Sequence, residues 1–82
     1  MMNYLRFLGE THQFMKDKVR NRIRVVLAEK DLTSKWLAER IPVSGNTLSR
    51  WINNGAQPSL PKLFKIARIL EVDIKDLIES SL

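Results

Sequence analysis

Apolar residues recur at helical spacing along most of this chain, and the breaks between the runs carry residues that stop or start helices. Val19, Ile23, Val26 and Leu27 share one face of a segment from Asp17 to Glu29, which predicts a first helix, while Arg20, Arg22 and Arg24 point in other directions. Leu37, Ala38 and Ile41 form a second short apolar set, and Val43, Leu48, Trp51 and Ile52 a third. Pro42 disfavours helical geometry at Ile41 and lacks the N–H of a continuing helix, so the break between these two sets lies between Arg40 and Ser44. Thr33 and Ser44 are positioned to cap the two helices. Asn53-Asn54-Gly55-Ala56-Gln57-Pro58 is a turn-rich connection. A fourth helix then follows, capped by Ser59, with Pro61 in its first turn and Leu63, Phe64, Ile66, Ala67 and Leu70 as its buried stripe. Glu71-Val72 breaks it, and Asp73, with Asp76 in capping-box spacing, begins a fifth helix whose apolar side is Ile74, Leu77 and Ile78. No long stretch alternates with strand period. The expectation is an all-α domain of five helices.

The stretch from Thr33 to Asn53 is the centre of this arrangement. The outer side of its second helix carries Gly45, Asn46, Ser49 and Arg50, which are small or hydrogen-bonding. A helix with a slim leading edge and such side chains suits the major groove of DNA. Here Leu37-Ala38, Val43-Ser44 and Thr47-Leu48-Ser49-Arg50-Trp51 match a known pattern, and Pro58-Ser59-Leu60 and Val72-Asp73 extend it. The segment from about Ile23 to Ile78 resembles the phage-repressor family, also called Cro/repressor or XRE, whose members carry a central helix-turn-helix.

That resemblance implies roles for particular residues. Gly45, Asn46, Ser49 and Arg50 stand where relatives read bases. Thr33, Ser34, Lys35 and Ser44 stand at the two helix entrances, where relatives hold phosphates, and Asn53 matches a phosphate-contacting place past the reading helix. Three positions depart from the pattern: Ser34 replaces a frequent glutamine, Pro42 a frequent glycine, and Gly45 removes a side chain from a usual reading place. Base readout is therefore expected to rest mainly on Asn46 and Arg50. Trp51 occupies a family core position; Trp36 either packs at the helix edge or lies over DNA sugar and phosphate.

Composition narrows the picture. At 82 residues the chain has room for one small domain; the expected division is an N-terminal arm or extension over residues 1–16 and the DNA-binding domain over residues 17–80. Its 44% hydrophobic and 28% charged content is that of a globular protein. Fourteen Lys and Arg against nine Asp and Glu give a net charge of +5. Lys16, Lys18, Arg20, Arg22, Arg24 and Lys30 face only Asp17 and Glu29, whereas the acids and bases after Ser59 balance. The positive charge thus lies beside the helix pair, and Arg20 and Arg22 join the candidate phosphate contacts. Cysteine is absent, which removes disulfides and thiolate metal sites and fits an intracellular, cytoplasmic protein.

Catalytic equipment is missing from the sequence. His12 is the single histidine, the serines have no evident partner base, and the three glycines form no phosphate loop. No catalytic residue, metal site or cofactor is expected. Tyr4, Leu5, Phe7 and Leu8 make the N-terminal segment apolar, but the run is too short to span a bilayer, and the segment is either a docking arm or a tail. The expected function is sequence-specific binding of double-stranded DNA by a transcriptional regulator, a homodimeric repressor that reads the major groove with the helix of residues 44–52. Two other roles share these features. One is an antitoxin-like protein that binds a toxin partner and its own promoter, and the other is a restriction-modification controller.

Overall fold

Three serine and threonine caps set where the central helices begin. The structure, a computed structural model, describes residues 20–79. A short strand β1, Arg20–Asn21, precedes four helices: α1 Ile23–Glu29, α2 Ser34–Ala38, α3 Gly45–Ile52 and α4 Leu60–Leu70. Thr33 Oγ1 accepts from the Trp36 N–H at the start of α2, Ser44 Oγ from the Thr47 N–H at α3, and Ser59 Oγ from the Lys62 N–H at α4. Each cap is worth about 1 kcal/mol. They matter most for α2, whose five residues could not hold a helix alone and depend on packing.

The helix ends use a common device. Asp31, Asn54 and Glu71 take left-handed backbone angles, with φ near 60°. The next N–H in each case reaches back to the helix: Leu32 to the Leu27 carbonyl, Gly55 to that of Arg50, and Val72 to that of Ala67. These are Schellman ends made without glycine at the left-handed position, which costs roughly 1–2 kcal/mol at each such residue. Leu32 and Val72 then fold their side chains against the core.

Ile23, Leu37, Leu48, Ile66, Leu70 and Leu77 are the fully buried centre, one or two residues from each helix and from the turn after α4. Trp51 and Ile52 close the core behind α3. On α4, Leu63, Ile66, Ala67 and Leu70 face inward as the spacing predicts, but Phe64 does not: it is 51% exposed, beside Leu60 at 59%. Residues 60 and 64 lie one turn apart along one edge of that stripe, where the neighbouring elements do not cover them.

The ends of the domain differ from a five-helix bundle. Asp73 begins a single 3₁₀ turn, Ile74–Leu77, and its carboxylate accepts from the Lys75 N–H rather than from Asp76, so the expected capping box does not form. Ile78–Glu79 is then a strand, β2, which pairs antiparallel with β1 so that Arg20 opposes Glu79 and Asn21 opposes Ile78. Correspondingly, the first helix starts at Ile23 instead of Asp17; residues 17–19 lie outside the described residues, as does the expected N-terminal arm. The architecture is mostly helical, with four α-helices among the described residues and a two-stranded clasp joining its ends.

Asn21 holds that clasp to the helix pair. It is 7% exposed, and every polar group it has is used. Its side-chain N–H groups donate to the Trp51 carbonyl (2.7 Å) and to Gln57 Oε1 (2.8 Å), and its Oδ1 accepts from the Ile23 N–H (3.1 Å), opening α1 where Arg22 offers no side-chain cap. The Asn54 amide bonds both the N–H and the carbonyl of Asn21, much as a neighbouring strand would, and so covers the free edge of β1. Asn21→Ala leaves several of these groups buried and unpaired, and urea denaturation should show a loss of about 2–4 kcal/mol. Glu71→Gly should do the reverse, raising stability by about 1 kcal/mol in the same experiment, because glycine adopts the left-handed angle without strain.

Candidate nucleic-acid interface

The α2–α3 connection is built to project one helix face outward. After α2, the Arg40 and Ile41 N–H groups both donate to the Leu37 carbonyl, Ile41 is buried, and the Val43 N–H closes a tight turn onto the Ile41 carbonyl around exposed Pro42. Ser44 then accepts from the Thr47 N–H at 3.1 Å and donates to Thr47 Oγ1 at 2.9 Å. Leu48, Trp51 and Ile52 anchor the rear of α3. Gly45, Asn46, Ser49 and Arg50 are exposed on its other side, as expected. A Cβ added at Gly45 would meet nothing within 4 Å.

An open groove of about 550 Å³ runs between α1, α2 and α3. Ser34 and Lys35 line it from the start of α2, Gly45 and Ser49 from α3, Asn53 from just past the end of α3, and Arg24 from α1, and no carboxylate is among the residues that line it. Five of the residues singled out in the sequence therefore meet at one place. Asn53 bridges two walls: its Oδ1 accepts from the Arg24 guanidinium, and its Nδ2 donates to Ser49 Oγ at 3.4 Å.

Other members of the basic run go elsewhere. Arg22 donates from its guanidinium to the Asp76 carbonyl at 3.4 Å and from its backbone N–H to the Leu77 carbonyl, which puts it on the side of the 3₁₀ turn. Arg20 is an exposed residue of β1 and does not line the groove. Arg24 is the arginine of this run that does, although charge counting could not separate it from its neighbours. Trp36 packs at the helix edge: it is half-buried against the core, with the Arg40 guanidinium 4.0 Å above its ring and bonded to its carbonyl at 2.8 Å. It also lines a small groove with Leu32, Ile69 and Leu70, away from Ser34 and Lys35.

A capped helix with a buried rear and a polar front, preceded by a short helix and a tight turn, is the geometry of a helix-turn-helix. Residues 22–81 match the family model of the Cro/C1-type helix-turn-helix DNA-binding domain. The chain belongs to that family. Among solved structures, a protein from Bacteroides fragilis proposed to bind DNA is similar with a TM-score of 0.71 and 54% sequence identity, over 74% of this chain and 98% of that one. No curated protein matches the chain significantly. The Cro/C1-type domain accounts for the elements from α1 to β2, and no helix of the described residues is long and apolar enough to cross a membrane.

The two faces of α3 should respond differently to truncation. Trp51→Ala removes a buried aromatic ring and is expected to cost about 3–5 kcal/mol, enough to threaten folding in so small a domain. Arg50→Ala and Asn46→Ala should stay within about 0.5 kcal/mol of wild type. Thermal melts followed by circular dichroism distinguish the two classes.

Proposed function

We propose that this Cro/C1-type domain is a sequence-specific transcriptional regulator that binds double-stranded DNA as a homodimer and represses transcription. The observation that carries this reading is the two-sided character of α3. Its rear is fixed by Leu48, Trp51 and Ile52, while Asn46 and Arg50 stand exposed on its front and pair with no other side chain among the described residues. Arg50 suits a bidentate contact to guanine O6 and N7, and Asn46 the corresponding contact to adenine. Gly45 allows close approach of backbone to the groove floor, and Ser49 adds a small hydroxyl beside it. Thr33, Ser34, Lys35 and Ser44, at the entrances of α2 and α3, take the phosphates on either side, while Arg20 and Arg22, placed away from these entrances, contribute to the positive charge of the domain. The helix-turn-helix family and the net charge of +5 support the same partner.

One reading helix of eight residues makes too few contacts for the usual specific affinity, which favours two half-sites and a dimer. Ile78, 41% exposed on β2, is the described residue proposed for the subunit contact; Leu82, Tyr4, Phe7 and Leu8, proposed with it, lie outside the described residues.

Binding should depend strongly on salt. With three to five phosphates neutralised per subunit, log K against log salt should fall with a slope of roughly −5 to −9 for the dimer. Selection of preferred duplexes from a random pool tests the reading positions in the same experiment. Arg50→Ala and Asn46→Ala should each lose preference at one base pair per half-site, at a cost of about 1–3 kcal/mol on the true site, whereas Lys35→Ala should weaken all sequences alike. Identical selected sequences from wild type and both variants would remove Asn46 and Arg50 as readers, and a flat salt response would count against DNA binding itself.

Ile78→Glu tests assembly. Sedimentation should give a folded monomer with weakened operator binding, and an unchanged mass would exclude Ile78 from the contact.

A further inference from the structure

We propose that Arg24 is a direct ligand of a DNA phosphate and that Asn53 works as a positioning residue for it, rather than touching the DNA backbone itself. This rests on the duplex-DNA reading above. Family position alone assigns the phosphate contact to Asn53, but the geometry distributes the work differently. The carbonyl oxygen of the Asn53 side chain accepts from Arg24, and its amide nitrogen is turned toward Ser49 Oγ. An amide oxygen cannot attract a phosphate, and the group beside it that can is a guanidinium with full charge.

The pairing also preserves that charge. Among the described residues Arg24 meets no carboxylate; the ion pair found there is between Arg40 and Glu39, at 3.7 Å. A carboxylate in place of Asn53 would neutralise the guanidinium, whereas a neutral amide fixes its direction and leaves its remaining N–H groups free. Arg24 on α1 and Lys35 on α2 line one groove whose lining holds no acidic side chain, and its volume of about 550 Å³ has room for a phosphate. Preorganising a long arginine before contact removes part of the ordering cost of binding. The chain Ser49–Asn53–Arg24 also ties this contact to α3, so that gripping the backbone and setting the depth of the reading helix are one event.

Titrations of a selected duplex at several salt concentrations, with wild type, Arg24→Ala, Arg24→Lys, Asn53→Ala and the double alanine variant, test this. Arg24→Ala should weaken binding about tenfold per half-site and lower the salt slope by about 0.9 per half-site. Arg24→Lys should keep the slope and recover part of the affinity. Asn53→Ala should weaken the wild type but change nothing further in the Arg24→Ala background, the non-additivity expected of a residue that acts through another. Equal losses from Asn53→Ala in both backgrounds would overturn the positioning role, and an unchanged affinity and slope in Arg24→Ala would overturn the phosphate contact. Both residues are exposed, and melting temperatures near wild type confirm that the variants fold. A wild-type protein without affinity for any duplex would instead overturn the DNA reading, and this assignment with it.

Discussion

A buried asparagine is the constraint on which this domain depends. Asn21 is largely withdrawn from water, and an amide there is tolerable only if each donor and acceptor is met. Its partners are drawn from α1, the end of α3 and the loop before α4, so the requirement to satisfy this one residue of β1 fixes four pieces of backbone relative to each other. An apolar residue could fill the same space, but it could not specify which carbonyl it packs beside. The result among the described residues is a small core with no buried side-chain nitrogen or oxygen left unpaired.

Because Asn21 bonds the Trp51 carbonyl, the orientation of α3 is controlled from both ends. Ser44 and the turn around Pro42 fix where the helix starts, and the Asn21–Asn54–Gln57 group fixes where it stops. Packing of Leu48, Trp51 and Ile52 then leaves little freedom to rotate. The exposed side chains of such a helix are held by the scaffold rather than by each other, so they remain available to an outside partner.

Much of this was legible in the sequence because it rests on local chemistry. Thr33, Ser44 and Ser59 are capping residues in front of periodic apolar runs, and each caps the helix expected of it. Pro42 marked the turn. The clasp was not legible: strands of two residues have no periodicity to detect, and Ile74, Leu77 and Ile78 are spaced as a helix face would be, although Ile78 extends into β2. Phe64 was misjudged for a related reason, since hydrophobicity says that a side chain prefers burial without saying that the core has room for it. Asn21 gave no signal because its value lies in contacts with residues thirty or more positions away, which no local pattern encodes. The groove around Arg24 belongs to the same class, for it exists only once three helices meet.

Gly45 opens a different kind of consequence. It stands first on α3, facing away from the core, with empty space where a side chain would begin. Under the DNA reading proposed above, such a position is a vacant letter in the reading register. Almost any residue could be written there without disturbing a packed neighbour, and most would favour the helix by up to about 1 kcal/mol over glycine. Under that reading, sequence preference in this scaffold can diverge by acquisition at one site, with no compensating change in the core.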